Sequence, residues 1–184
     1  ATIADPVGYL LTYAYDPDTS TYVTKISDNF PAPAGPYSST ATYNPLYGQI
    51  RTSTDLNMNV EARGYDEFGR LACVYGPYDQ APADPNTCAG APTIAFTYTA
   101  PALGSDSETL TAPAQAITRN RAVSVKGSDP IIIRTLTYED GMKRIIETKK
   151  DADKNGVHGL TVSGLIAFDD LGRVIQQGQP VFGT

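Results

Sequence analysis

Apolar and polar positions alternate with a period of two through much of the chain. The clearest stretch is Leu160 to Phe168, where Leu160, Val162, Gly164, Ile166 and Phe168 fall on one face and Thr161, Ser163, Leu165 and Ala167 on the other. Successive side chains of a strand point to opposite faces, so this pattern predicts a partly covered strand. Asp169-Asp170-Leu171-Gly172 then turns the chain, and Arg173 to Gln177 returns as a second strand. The same design occurs earlier: Tyr65 ends a strand, Asp66-Glu67-Phe68-Gly69 turns, and Arg70 to Tyr75 returns. In each copy the Asp can accept hydrogen bonds from the turn's own amides, the Gly can take φ > 0, and the aromatic packs across the hairpin.

Three looser copies surround these two. Tyr138-Glu139-Asp140-Gly141-Met142-Lys143-Arg144-Ile145 moves the glycine forward and spaces the arginine one residue later. Tyr43-Asn44-Pro45-Leu46-Tyr47-Gly48-Gln49-Ile50 is one residue longer and lacks the arginine, and Tyr15-Asp16-Pro17-Asp18-Thr19-Ser20-Thr21-Tyr22-Val23 has no glycine. The leading aromatics at 15, 43, 65, 138 and 168 are separated by 28, 22, 73 and 30 residues, too irregular for a solenoid or propeller. The widest gap predicts a strand at Thr93 to Thr99, a Pro/Ser/Gly stretch from Ala100 to Ala114, a strand at Ala122 to Lys126, and a β-branched strand at Ile131 to Thr137.

Composition agrees with short strands joined by tight turns: 12 Tyr, 16 Gly, 14 Pro and no Trp in 184 residues. The fold class predicted is all-β, with antiparallel hairpins forming a curved sheet, an open sandwich or an irregular barrel. A net charge of −6 supplies no basic field, which disfavours nucleic acid as a partner. The local basic cluster Lys143, Arg144, Lys149 and Lys150 is interrupted by Ile145, Ile146 and Glu147 and reads as a solvated strand face. No apolar run approaches the roughly 18 residues that span a bilayer, so membrane insertion is not expected. The opening Ala1-Thr2-Ile3-Ala4-Asp5 has no basic segment before an apolar one, and excision from a longer polypeptide is the expected origin.

Cys73 and Cys88 enclose the Pro- and Asp-rich stretch Tyr75 to Thr87. A disulfide would close this loop, contributing about 3 kcal/mol in the chain-entropy model. Two separate thiols, with Cys73 a strand core residue, are the alternative.

The hairpins resemble the YD repeats of the Rhs family. The resemblance is carried by Thr137-Tyr138-Glu139-Asp140-Gly141-Met142-Lys143-Arg144, by Thr148-Lys149-Lys150-Asp151-Ala152, by Val162-Ser163-Gly164 and by Phe168-Asp169-Asp170-Leu171-Gly172-Arg173. It is closest to large secreted proteins of the toxin-complex B type and strongest from about residue 60 onward. It implies hairpins that build a long curved sheet, spiralling in complete proteins into a hollow shell around a passenger polypeptide. It also implies a secreted or cell-surface location, with the remainder of the parent protein as partner. The domain reading is one all-β segment over 1–184, with 1–42 a weakly matching lead-in and 43–184 YD-like hairpins interrupted by a Pro-rich loop at 76–92.

Candidate chemistry is sparse. Asp151-Ala152-Asp153-Lys154-Asn155-Gly156 has the spacing that sets the oxygens of Asp151, Asp153 and Asn155 around calcium, but no acidic residue stands at the twelfth position and no helices flank it, so an Asx-rich hairpin turn is the competing reading. Asp5-Pro6-Val7-Gly8 resembles the Asp-Pro-x-Gly element of self-cleaving Rhs cores, yet it precedes the repeats, and a turn into the Leu10 to Tyr15 strand is expected. His158 has no nucleophile in a recognisable context. Tyr37, Tyr47, Tyr75 and Tyr78 lie beside Gly or Pro and could present rings to a glycan or a protein. The functional expectation is a non-catalytic scaffold segment needing no cofactor, with a Tyr-based binding module as the alternative and a self-processing aspartyl element as the weaker one.

Overall fold

The structure is a computed structural model, described for residues 1–31, 35–105, 109–122 and 131–183. Strands, turns and a short 3-10 turn at Pro85–Thr87 account for the described residues, with no α-helix among them. The chain divides into two compact units, Ala1–Thr93 and Ile94–Thr184.

Unit 1 is a meander of β1 (Thr2–Ala4), β2 (Leu10–Tyr15), β3 (Val23–Asp28), β4 (Ser38–Asn44), β5 (Gln49–Thr54), β6 (Val60–Tyr65) and β7 (Leu71–Tyr75). Each strand pairs antiparallel with its successor. Among the described residues β1 pairs only with β2, so the sheet is open at that edge and is not a barrel. Its Thr-rich middle joins by side chains as well as backbone, with the Thr42 and Thr52 hydroxyls 2.6 Å apart across β4 and β5. The core lies on β6 and β7, where Ala62, Cys73 and Tyr75 are buried together.

Unit 2 comprises β8 (Ile94–Thr99), β9 (Ala102–Leu103), β10 (Leu110–Ala112), β11 (Ala114–Arg121), β12 (Ile132–Glu139), β13 (Ile145–Lys154), β14 (Val157–Val162), β15 (Ile166–Phe168), β16 (Val174–Gln177) and β17 (Val181–Gly183). β8, β11, β12, β13, β14 and β17 form an antiparallel sheet in that order. β9–β10 and β15–β16 are separate two-stranded ribbons.

Two expectations change here. The strand read from Leu160 to Phe168 is two strands, broken at Ser163, Gly164 and Leu165. Gly164 has φ +89° and its backbone packs directly on Gly178, whose amide donates to the Leu165 carbonyl at 2.9 Å. This crossing of two glycines pinches the base of the β15–β16 ribbon and returns the chain to β17. The second change is β11, central in its sheet yet lying where a Pro/Ser/Gly stretch gives way to no expected element. Its Gln, Thr, Arg and Asn positions do not alternate with apolar ones, because all eight residues are only partly buried. Of the strand expected at Ala122 to Lys126, Ala122 donates to the Ile131 carbonyl at 2.8 Å, and the rest lies outside the described residues.

Candidate functional site

The turns repeat one device. The Oδ1 of Asp66 accepts the amides of Phe68 and Arg70 at 3.0 and 2.9 Å, and its carbonyl accepts the Gly69 amide at 3.0 Å. Its own amide donates to the Arg70 carbonyl at 2.9 Å, and the Arg70 Nε closes the clamp on Oδ2 at 2.7 Å. Asp140 repeats this with Met142, Lys143 and Arg144, and Asp169 with Leu171, Gly172 and Arg173; both arginines reach Oδ2 at 2.6 Å. A charged acceptor serving several donors makes each bond stronger than a neutral one.

Two turns not expected as copies use the same clamp without arginine. Asp5 Oδ1 accepts the amides of Val7 and Tyr9 at 3.0 and 2.8 Å, so Asp5-Pro6-Val7-Gly8 is a turn of this kind. Asp55 accepts the amides of Asn57 and Asn59, both at 2.8 Å, and the Asn59 side-chain amide takes the place of arginine at 2.9 Å. The fourth residue has positive φ throughout: Gly8, Met58, Gly69, Lys143 and Gly172. Glycine is therefore favoured but not required there, and the Asp is the fixed element. The sequence signal for Asp5 and Asp55 is an Asp followed by a position able to take positive φ; an aromatic ahead of the turn does not mark them.

The position before the turn has a separate job, whether or not it is aromatic. In five hairpins the register slips where the residue before the Asp or Asn pairs, namely at Tyr15, Tyr43, Tyr65, Glu139 and Phe168. Such a bulge sharpens the local twist at the turn. Counted from Asp140, Arg144 stands in the same place as Arg70 and Arg173. The extra residue in that copy is Glu139, ahead of the turn, rather than one between turn and arginine.

Neighbouring turns are laced together within each unit. Tyr22 stacks on Tyr43 at 4.7 Å and its hydroxyl lies over Gly48. The Tyr47 ring lies over Gly69, its hydroxyl donates to the Glu67 carbonyl at 2.9 Å, and Gln49 donates to the Gly69 carbonyl at 3.0 Å. In unit 2 the Arg144 guanidinium lies 4.1 Å from the Phe168 ring centre and beside Gly172.

These contacts set the electrostatics. The Tyr22 amide leads the donors that hold Asp16 far below the usual carboxylate range, against a smaller opposing effect of burial. The Arg144 and Arg173 amides lead in lowering Asp140 and Asp169. Burial pushes Asp66 upward, but the Arg70 amide and guanidinium together outweigh it and its titration is lowered. A carboxylate saturated with donors and held ionised is a poor proton shuttle.

Cys73 and Cys88 are joined in a disulfide with Cα atoms 5.8 Å apart. The loop between them lies on β6: Pro85 packs on Gly64, where a side chain would strike the Pro85 carbonyl and the Cys73 Sγ. Asn86 Oδ1 accepts the Tyr65 amide at 2.9 Å, and Arg51 donates to the Ala83 carbonyl at 3.0 Å. The Tyr75 hydroxyl donates to the Ala89 carbonyl at 2.8 Å, and Asp79 accepts from the Gly76 amide and the Thr93 hydroxyl at 2.9 and 2.6 Å. Burial raises both Tyr65 and Tyr75 above the ordinary tyrosine value.

The calcium pattern unfolds along a hairpin. Asp151 and Asp153 sit on β13, and Asn155 and Gly156, with φ of +54° and +77°, make the two-residue turn into β14. Asp151 is held by Arg134 through its amide, Nε and a terminal nitrogen at 2.7, 3.0 and 3.0 Å. Asp153 faces His158 at 3.3 Å. Strand geometry spreads these oxygens instead of wrapping them, and no group of three or more His, Cys, Asp or Glu gathers as a metal site among the described residues. The four tyrosines separate too: Tyr75 is buried, Tyr47 packs on a turn, and Tyr37 and Tyr78 are 42% and 98% exposed.

No family model matches the chain, and no curated protein matches it by sequence. Solved structures do. The crystal structure of TcdB2-TccC3-TEV aligns with a TM-score of 0.65 at 14% identity, over 94% of this chain and 12% of that one. The crystal structure of TcdB2-TccC3 without its hypervariable C-terminal region aligns with a TM-score of 0.66 at 14% identity and the same coverage. The chain thus spans about an eighth of the length of either. In fold, this all-β chain is similar to a segment of the Rhs/YD-repeat toxin-complex structures.

Proposed function

We propose that the chain is a non-catalytic scaffold segment, part of the β-wall of a secreted or cell-surface YD-repeat protein, with the rest of that protein as its partner. The observation that carries this is the Asp clamp. Its carboxylates face their own turns, are saturated by donors, and are laced to neighbouring turns, which is what a wall needs and a reaction centre does not. Many large apolar side chains stay open to solvent, including Leu46, Phe68, Met142 and Leu171 at turn tips. Such surface suits a segment that meets more protein. The disulfide supports an oxidising compartment, and no helix among the described residues is long and apolar enough to cross a membrane.

Thermal melting of Asp66→Ala, Asp140→Ala and Asp169→Ala tests the reading. Scaffold carboxylates lose stability on removal, whereas functional ones are commonly neutral or stabilising when removed. A drop of several degrees in each variant is expected; unchanged or raised melting in all three would sink it. A second reading, a glycan- or protein-binding surface, is favoured only by Tyr78 at the tip of the Gly76–Asp79 turn. Loss of glycan-array signal in Tyr78→Ala would support it.

A further inference from the structure

We propose that Asn155 is a self-modification site, where the Gly156 nitrogen closes on the Asn155 side chain and converts it to aspartyl and isoaspartyl products. The turn between β13 and β14 explains why this pair is present. Asn155 and Gly156 hold φ of +54° and +77°, the double left-handed geometry of a two-residue hairpin, which Asn-Gly adopts most readily. The same pair is chemically labile, because glycine puts no side chain in the way of its own nitrogen. In the reaction that nitrogen gives up its proton and bonds to the Asn155 Cγ, Nδ2 leaves as ammonia, and a five-membered cyclic imide forms. Water then opens the imide. Attack at Cγ gives an aspartyl residue, and attack at the main-chain carbonyl gives an isoaspartyl one. One water enters, one ammonia leaves, and nothing is oxidised or reduced.

The fold leaves this site open. Asn155 and Gly156 are both exposed, and a side chain built on Gly156 would meet nothing within 4 Å. Among the described residues no hydrogen bond engages the Gly156 amide or the Asn155 side chain. The turn carries no carboxylate clamp, and no ring or guanidinium from a neighbouring turn lies on it as Tyr47 lies on Gly69 and Arg144 on Gly172. Its ties are weak ones. Asp153 and His158 face each other at 3.3 Å with both side chains mostly exposed, and the Lys154 ammonium stands 5.9 Å from the Phe182 ring centre. Ring closure requires Asn155 to leave the left-handed geometry, and an exposed hairpin tip held so loosely opens at little cost.

The other asparagines are guarded. Asn29 accepts the Leu10 amide at 2.9 Å and donates to the Gly8 carbonyl at 3.2 Å, and Asn86 accepts the Tyr65 amide at 2.9 Å. Asn59 donates to Asp55 at 2.9 Å, and Asn44 accepts the Leu46 amide at 3.0 Å and precedes a proline, which has no proton to give up. Asn57 and Asn120 are followed by Met58 and Arg121, whose side chains crowd the attacking nitrogen, and Asn120 lies within β11. The two products differ in consequence. An aspartyl residue keeps the backbone and adds a negative charge at the tip. An isoaspartyl residue lengthens the main chain by one carbon, which a two-residue turn cannot absorb while Lys154 stays paired with Val157.

The test ages the full folded chain in mildly alkaline buffer and follows each asparagine by peptide mass mapping, with isoaspartyl groups labelled by a carboxyl methyltransferase. Conversion is expected at Asn155 ahead of every other asparagine, with ammonia released in step. Gly156→Ala should lose most of the conversion, and Asn155→Asp should release no ammonia from this turn. Hydrogen exchange reads the consequence: the Val157 amide should stay protected in Asn155→Asp and lose protection in the aged isoaspartyl fraction. An Asn155 that stays intact while the chain unfolded in urea converts, or that converts no faster than Asn57, would overturn the proposal. So would an isoaspartyl fraction in which Val157 is as protected as in the fresh chain.

Discussion

Unit 1 and unit 2 close their hairpins with the same Asp clamp and then cover them differently. In unit 1 a disulfide-closed loop lies on β6 and β7, and the buried apolar residues Ala62, Tyr65, Cys73 and Tyr75 all lie there. In unit 2 the strands of the long sheet are only partly buried, and the β15–β16 ribbon is mostly exposed. The clamp alone therefore makes hairpins, while a core requires something laid across the sheet. Backbone pairing and local carboxylate bonds fix a strand's path, but apolar burial supplies the larger share of stabilisation.

That difference can be broken from its strong side first. Tyr75→Ala, at a side chain 1% exposed, should destabilise unit 1 by about 3–5 kcal/mol, as large aromatic truncations in cores do. Chemical denaturation followed by unit-specific NMR signals should show unit 2 unaffected. Replacing Cys73 and Cys88 by Ser should cost about 3 kcal/mol for a closure of this length, again confined to unit 1. Equal losses in both units would refute the assignment of the core to the loop-covered face.

Alkali and acid should separate the units as well. Tyr65 and Tyr75 have raised titrations, so their contribution is complete below the unfolded tyrosine value near pH ~10 and is lost as pH climbs through the folded ones. Asp66, Asp140 and Asp169 are lowered, so their contribution is complete above the unfolded value near pH ~3.9 and is lost as pH falls through the folded ones. Melting against pH should thus show an acid limb in both units and an alkaline limb in unit 1. An alkaline limb led by unit 2 would contradict this.

The smallest effects sharpen the clamp itself. Arg144→Ala should cost unit 2 about 1 kcal/mol through its partly buried contact with Phe168. Lys143→Gly and Met58→Gly should be neutral to stabilising by less than about 1 kcal/mol, since both residues hold positive φ that glycine adopts without strain. Destabilisation by either glycine would mean that the side chain, not the backbone, matters there.

The sequence alone determined the local grammar. Asp at a turn's first position, a residue able to take positive φ at its fourth and flanking β-branched or aromatic residues act within a few positions of one another, so the hairpins at Tyr65 and Phe168 are legible in the residues themselves. The copy at Asp140 falls out of line when its aromatic serves as the anchor, because the carboxylate is what organises the turn. Tertiary structure decided the rest. Nothing near Gly164 in the chain announces that Gly178 will press against it, and nothing near Gly64 announces Pro85. β11 became a central strand through pairing with β8 and β12 rather than through its own pattern. Calcium spacing at Asp151 became an ion pair because Arg134 stands on the adjacent strand. Local chemistry chooses turns; which face is covered depends on residues distant in sequence, and only folding brings those together.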